Sequence, residues 1–218
     1  DSLHFGRGSA ALVYDSSFFG ATSPVLGQRY RLEVSPILGS IDYAEILADY
    51  RKYIMPVQPF TLAFRFMHYG RYGQGAEDSR LYPLFLGYQT LVRGYNTTSF
   101  SAEECGQEGC QVFNQLFGSK MMVANLELRF PLFNVLGIGR GFYGILPIEF
   151  TAFVDSGLAW NSQDEAWFLG GDRRPVTSAG IGLRMNVFGY AILGASYVYP
   201  FDRPNKDAYF QFWFTPGF

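Results

Sequence analysis

The sequence predicts an all-β protein, an antiparallel transmembrane β-barrel, and three observations lead to this prediction. Polar and apolar side chains alternate along several segments, which is typical of strands with one polar and one apolar face. Several segments exceed the roughly five or six residues usual in soluble strands and reach the roughly ten that a tilted membrane strand needs. Short turns and long polar loops connect them, as in outer-membrane barrels.

The composition is consistent with membrane strands. Of the 218 residues, 48% are hydrophobic, 18% are aromatic and only 17% are charged, whereas about a quarter of residues are charged on average. No stretch approaches the roughly 20 apolar residues of a membrane helix. The net charge of −2 gives no indication of nucleic-acid binding. Residues 1–8 lack a charged start followed by an apolar run, so no signal peptide is predicted within this sequence.

The alternation is clearest in residues 28–35, 43–51 and 123–130, where a charged or amide side chain occupies most second positions. A helix would instead repeat its apolar positions every three to four residues. We therefore predict nine strands, at residues 9–19, 27–38, 41–55, 58–70, 118–131, 145–160, 175–188, 190–201 and 207–218.

Aromatic residues cluster near the ends of the predicted strands, where the girdles of a membrane barrel lie. The cluster comprises Tyr50, Tyr53, Phe142, Tyr143, Trp160, Tyr197, Tyr199 and residues 212–214. The alternative is a soluble β-sandwich with an aromatic core. A sandwich would bury fewer rings and use shorter strands, so the pattern favours the barrel.

The two cysteines lie in the polar, glycine-containing segment 103–110, which we interpret as an exposed loop. Outside the cytoplasm a disulfide between Cys105 and Cys110 is favoured over two free thiols. Metal binding is the alternative, but it would need further ligands, and both histidines lie far away in the sequence. We expect no metal site and no cofactor.

Three segments in a fixed order resemble the BamA-type assembly and secretion barrels, the bacterial surface antigen family. They are Leu91-Val-Arg-Gly-Tyr95, then Asn125-Leu-Glu-Leu-Arg129, then Phe153-Val-Asp-Ser-Gly157. Residues 15–29 also resemble an Asp…Pro…Gly-x-Arg hairpin of that family. Each motif is short, but the ordered set is specific and the resemblance covers essentially the whole chain. The cysteines fall where some relatives place a loop disulfide.

The resemblance implies an extracellular loop folded into the barrel lumen, with Val92, Arg93, Gly94 and Tyr95 at its tip. It also implies a strand motif formed by Phe153, Asp155 and Gly157. The chain would be one barrel domain, residues 1–218, supplying the C-terminal eight or nine strands of a larger protein. Its last strand, with Phe214 and Phe218, resembles the terminal signal of bacterial outer-membrane proteins.

The residue types suggest how the loop is held. The alternation places Glu127 and Asp155 on the polar faces of their strands, and the Arg93 guanidinium carries five donors in a planar fork. We expect Arg93 to bridge both carboxylates and pin the loop, which would cost about 3–5 kcal/mol to undo. The alternative is an arginine solvated by water in the lumen.

The predicted strand number is odd, whereas single-chain bacterial barrels have an even number. Three explanations remain open: a piece of a larger barrel whose N-terminal strands are missing, a small barrel with one strand misassigned, or a barrel shared with a second copy. Eight and nine strands are not distinguished by the pattern.

The resemblance implies an outer-membrane barrel in a bacterium that assists insertion of client β-barrels or passage of secreted polypeptides. Its expected partners are the lipid bilayer, with lipopolysaccharide, and the client chain. One alternative is a barrel that anchors an upstream soluble domain; another is a soluble binding module. No Gly-x-Ser-x-Gly or His-Glu-x-x-His motif occurs, and residues 139–144 match a dinucleotide pattern without its strand–helix context. We expect no enzymatic activity.

Overall fold

The computed structural model describes residues 4–101, 104 and 110–216. The fold is built from antiparallel strands, as the alternating pattern predicts. They are β1 (Phe5–Arg7), β2 (Ala10–Asp15), β3 (Phe18–Phe19), β4 (Pro24–Gly39), β5 (Tyr43–Val57), β6 (Phe60–Tyr72), β7 (Leu84–Phe85), β8 (Phe117–Gly118), β9 (Lys120–Pro131), β10 (Ile148–Trp160), β11 (Val176–Val187), β12 (Ala191–Pro200) and β13 (Tyr209–Pro216). The short helices are α1 (Gln111–Asn114), α2 (Leu132–Val135) and the 3-10 turns Thr97–Ser99 and Trp167–Leu169.

One curved sheet contains all strands except β7 and β8, which pair with each other. Its order is β1, β4, β5, β6, β9, β10, β11, β12 and β13, with β2 and β3 also paired to β4. The sheet is therefore a partial barrel, and the predicted fold class is confirmed. Within the described residues, no ladder joins β13 to the β1–β3 side.

Because neighbouring strands are antiparallel, the connections divide between two ends of the sheet. The end with the long loop carries residues 40–42, 73–119, 161–175 and 201–208. The opposite end carries residues 20–23, 58–59, 132–147 and 188–190. The long loop, residues 73–119, thus leaves one end of β6 and returns into β9 beside it.

Two predicted strands differ from those observed. The predicted strand 9–19 is two short strands, β2 and β3, paired with β4, because the Asp15 carboxylate accepts hydrogen bonds from the Ser17 amide and hydroxyl and bends the chain between them. Strand β10 begins at Ile148 rather than at residue 145. Before it lies α2, followed by glycines with positive φ, including Gly144 at +74°. That backbone conformation favours glycine and ends the strand pattern.

The two faces of the sheet differ as the alternation predicts. On β10, Thr151, Phe153 and Asp155 face inward and are at most 4% exposed, whereas Val154 between them is 51% exposed on the outer face. Apolar side chains on the outer faces of other strands are exposed in the same way. An apolar outer band and a polar interior are the arrangement of a membrane barrel. Among the described residues, no helix combines the length and apolar character needed to cross a membrane.

Several aromatic residues expected in a girdle are buried or face the interior instead. Trp160 is only 4% exposed and packs with Leu158 and Ala166. Tyr53 is only 5% exposed, and its ring lies 5.7 Å from the Arg129 guanidinium. It falls on the same side of β5 as Asp49 and Arg51, so the period of two places it inward. Position near a strand end was therefore an insufficient criterion for a girdle residue.

The turn between β3 and β4 lies across the inner face of the sheet, at the end opposite the long loop. The Ala21 amide donates to the Tyr143 hydroxyl oxygen at 2.6 Å, and the Ala21 carbonyl accepts a hydrogen bond from the Asn186 side chain. The Ser23 hydroxyl donates to the Glu149 carboxylate at 2.9 Å. These contacts fix the turn against β10 and β11. They also explain why Tyr143, another predicted girdle residue, points into the protein.

Candidate functional site

The long loop packs on the inner face of the sheet through an apolar cluster. Its buried loop members are Leu84, Leu86, Leu91, Val92, Tyr95 and Leu116, and its wall members are Met67, Met121, Val123, Ala159 and Val176. Burying a leucine or valine side chain stabilises a fold by roughly 1.5–3 kcal/mol. The loop is therefore held by its own core as well as by polar contacts.

Arg93 lies at the centre of the contact between loop and wall. Its Nε and Nη2 atoms donate to the two carboxylate oxygens of Asp155 at 2.6 and 2.7 Å. Its Nη1 atom lies 2.7 Å from Oε1 of Glu127. The Asp155 side chain is fully buried, and that of Arg93 is 10% exposed. The structure thus brings together the arginine and the two carboxylates that the sequence singled out.

Glu127 is shared by three guanidinium groups. Besides Arg93, it accepts a hydrogen bond from Arg129 Nε at 2.6 Å and from Arg184 Nη2 at 2.7 Å. Asn125, on the same face of β9, donates to both Asp155 and the Leu91 carbonyl at 2.8 Å. The Arg93 contact is therefore part of a polar network that crosses β9, β10 and β11. Charge-assisted, bidentate contacts of this kind are the stronger hydrogen bonds in proteins.

The strand motif Phe153-x-Asp155-x-Gly157 contacts the loop through each of its three inward positions. The Arg93 guanidinium carbon lies 3.4 Å from the centre of the Phe153 ring, so the cation stacks on the aromatic face. A Cβ atom at Gly157 would lie 2.5 Å from Cγ2 of Val92. Gly157 therefore leaves the space that Val92 occupies, and the period of two places all three residues beneath the loop tip.

Gly94 and Tyr95 continue the tip toward the last strands. Gly94 has φ +93°, a conformation that glycine adopts without strain. A Cβ atom there would also lie 3.2 Å from Val198 on β12. The Tyr95 ring is fully buried. Its hydroxyl oxygen lies 2.6 Å from the Thr177 carbonyl oxygen and 3.0 Å from a carboxylate oxygen of Asp202, the two acceptors within reach of its one proton. The tip thus contacts β10, β11, β12 and the β12–β13 hairpin.

The remaining predicted residues lie elsewhere. Phe214 is on the outer face of β13 and is 62% exposed. Phe218 and Cys105 lie outside the described residues, so the terminal signal and the pairing of Cys105 with Cys110 stay predictions. Within the part of the chain that the structure describes, no group of three or more His, Cys, Asp or Glu residues could hold a metal ion.

A cavity of about 660 Å³ lies beside the loop tip, inside the sheet. Its charged lining is mostly arginine: Arg51, Arg65, Arg93, Arg129 and Arg184, together with Glu127. These arginines also bind acceptors on the protein. For example, Arg65 donates to Asp49 at 2.9 Å and to the Thr90 carbonyl at 2.7 Å. The arginines that line the cavity therefore help to hold the loop in place, through hydrogen bonds and ion pairs with the protein itself.

The sequence interpretation missed a second set of contacts to the loop, from the far end of the sheet. Arg203 in the β12–β13 hairpin donates to the Gly94 carbonyl at 2.7 Å, and Gln211 on β13 accepts from the Gly94 amide at 3.1 Å. Gln211 alternates with Phe210 and Phe212, which marked it as an inward polar residue. Arg203 lies in a turn-like Asp-Arg-Pro-Asn sequence that carries no such signal.

Comparison with known proteins gives a family match and a match to solved structures. The sequence model of the Omp85 superfamily domain matches residues 13–218. A crystal structure of BamA from Haemophilus ducreyi lacking POTRA domains 1–3 is similar, with 20% sequence identity and a TM-score of 0.67. The alignment covers 97% of this chain but only 42% of that one. No curated protein matches the sequence.

The structural similarity supports the fold, and the matched domain covers most of the sequence. The chain belongs to the Omp85 superfamily.

Proposed function

We propose that this chain is the barrel part of a bacterial outer-membrane protein that inserts or translocates other polypeptides. Within that class we propose templated insertion of client β-barrels, with β13 as the receiving edge. Membership of the Omp85 superfamily supports the general role. The specific role is supported by the position of β13 at the edge of the sheet.

The edge position of β13 is the observation that carries the proposal. In the described part of the chain, β13 pairs with β12 on one side and with no strand on the other. Its outward side chains Phe210, Phe212 and Phe214 are 62–72% exposed and suit a lipid environment. An unpaired edge offers backbone donors and acceptors to another strand. Templating needs only these groups, so we propose no enzymatic activity.

The loop supports this role by stiffening the wall next to the edge. The Arg93 network joins the loop to β9, β10 and β11, while Gln211 joins it to β13. A client strand added to β13 would therefore meet a strand whose position is already defined. We propose that the braced loop acts as a strut for this purpose.

Site-specific crosslinking tests the proposal. A photocrosslinking residue at Phe210 or Phe212 of the full-length protein, in membranes that receive a nascent barrel, should capture the client. The matched controls are Phe64 and Phe66 on β6, which are each 42% exposed on the outer face but lie within the sheet. We expect client adducts from β13 and not from β6.

Two outcomes would contradict templating at β13. Equal adducts from β6 and β13 would show contact with the outer surface in general. Adducts from neither strand, with the client still delivered to the membrane, would favour a barrel that anchors an upstream soluble domain.

A further inference from the structure

Arg203, in the hairpin between β12 and β13, is the most completely enclosed arginine side chain at this end of the described structure. Its side chain is 0% exposed. Nε and Nη2 donate to the two carboxylate oxygens of Glu104 at 2.9 and 2.8 Å. Nη1 donates to the Gly94 carbonyl and the Ser99 hydroxyl, and Nη2 also donates to the Ser99 carbonyl. All five guanidinium donors are thus used.

Every one of these acceptors belongs to the long loop. The Phe100 ring, also on the loop, lies with its centre 3.9 Å from the Arg203 guanidinium carbon. Removing a charged group from water is costly unless its donors are satisfied. The loop meets that requirement with two carbonyls, a hydroxyl and a carboxylate. A lysine at this position could donate at most three hydrogen bonds and has no planar fork.

β13 holds the same peptide segment from the other side. The Gln211 side-chain oxygen accepts from the Gly94 amide, and its nitrogen donates to Asn96 at 2.5 Å. The Tyr209 hydroxyl also donates to Asn96, at 2.9 Å. The amide and the carbonyl of Gly94 are therefore both bound by the terminal hairpin and strand. Gly94 directly follows Arg93, whose side chain is fixed to Asp155 on the wall.

We propose that Arg203 is a positioning residue that latches the loop tip to the β12–β13 hairpin, so that the tip and the first half of β13 open together. The latch consists of Arg203 and Gln211 on one side and of Gly94, Asn96, Ser99 and Glu104 on the other. It concerns the resting structure and does not depend on what β13 binds. Only its consequence for clients, that loosening the loop frees the start of the edge strand, rests on the proposed function.

Hydrogen exchange of the full-length protein in lipid nanodiscs tests the latch. Arg203→Gln should raise amide exchange about tenfold or more at the start of β13 and at residues 96–99, because buried acceptors lose their donors. Exchange in β5 and β6 should not change. The control is Arg80→Gln, at the same end of the sheet. Arg80 also binds a loop carboxylate, Asp78, through two nitrogens, but its side chain is 41% exposed. We expect no change at β13 in that variant.

A second variant tests whether the tip and β13 open together. Arg93→Ala, made at the wall contact, should lower the stability of all strands, but it should raise exchange at the start of β13 by more than in β5 and β6. In an Arg203→Gln background, Arg93→Ala should add little to that difference between β13 and the other strands. If Arg203→Gln fails to accumulate, Arg203→Lys takes its place, with an intermediate increase expected.

Two results would overturn the proposal. In one, Arg93→Ala loosens the loop while exchange in β13 rises no more than in β5 and β6. In the other, the Arg203 variant raises exchange equally in all strands, which would make Arg203 an ordinary contributor to stability.

Discussion

Two buried arginines hold the same loop tip, and they do so in opposite directions. Arg93 extends from the loop to the wall, where its acceptors are the carboxylates of Asp155 and Glu127. Arg203 extends from the terminal hairpin to the loop, where most of its acceptors are uncharged oxygens of Gly94 and Ser99. The Arg93 contact neutralises buried carboxylates of the sheet. The Arg203 contact supplies hydrogen-bond donors to backbone carbonyl oxygens of the loop. We therefore expect the first to dominate global stability and the second to dominate local order.

The largest expected effect comes from breaking the two contacts separately. Arg93→Ala leaves the fully buried Asp155 carboxylate without its cation and should destabilise the barrel by about 3–5 kcal/mol. Arg203→Ala leaves Glu104 with Lys206 nearby, at 3.5 Å, and should cost less, about 1–3 kcal/mol. Unfolding temperatures on semi-native gels would measure both. If the Arg93→Ala variant resists heat as well as the unmodified protein, the proposal that the loop acts as a strut is contradicted.

The fit between Val92 and Gly157 should have an intermediate effect. Gly157→Ala places a Cβ atom 2.5 Å from the Val92 side chain, and overpacking of this kind typically costs about 1–3 kcal/mol. The same gels should show a lower unfolding temperature for Gly157→Ala. Combining it with Val92→Ala removes the clashing methyl group, so the double variant should lose less than the sum of the single variants. If the losses in unfolding temperature of the two single variants add up in the double variant, residues 92 and 157 do not clash.

The smallest expected effect is a pH dependence confined to the Arg203 contact. Burial alone would raise the pKa of Glu104, but hydrogen bonds from Arg203 and Ser101 and the charge of Lys206 hold it below its ordinary value. A carboxyl whose pKa is lowered by folding stabilises the fold at pH values above its ordinary pKa. This contribution is lost as the pH falls through the lowered pKa. Proteolytic protection of the β12–β13 hairpin should therefore decline in acid. Glu104→Gln should flatten that decline, and an unchanged profile would exclude Glu104 as its source.

Much of the wall side of this site could be predicted from the sequence. Alternation with a period of two fixes the face on which Glu127 and Asp155 lie, whatever the exact strand ends. The motif around Arg93 then identifies a cation that can reach them. The long gap between the predicted strands 58–70 and 118–131 likewise identifies the segment that forms the loop.

The hairpin side could not be predicted in the same way. Arg203 binds mainly carbonyl and hydroxyl oxygens, and every residue of the chain carries a carbonyl, so no residue type marks its partners. The complementarity of Gly157 and Val92 is likewise a property of two surfaces that meet only after folding. The broken first strand escaped prediction because a local side-chain contact, Asp15 to Ser17, competes with the ladder.

Because glycine has no side chain, the wall has a recess at Gly157, and this recess has a consequence for protein engineering. The wall carries a recess shaped to one methyl group of Val92, beside a carboxylate and a ring shaped to one guanidinium. A loop transplanted from another superfamily member would therefore fit only if the residues at 153, 155 and 157 travelled with it. The loop tip and the wall are complementary in shape and charge. A chimera that exchanges only one of them should lose the contacts that hold the tip against the wall.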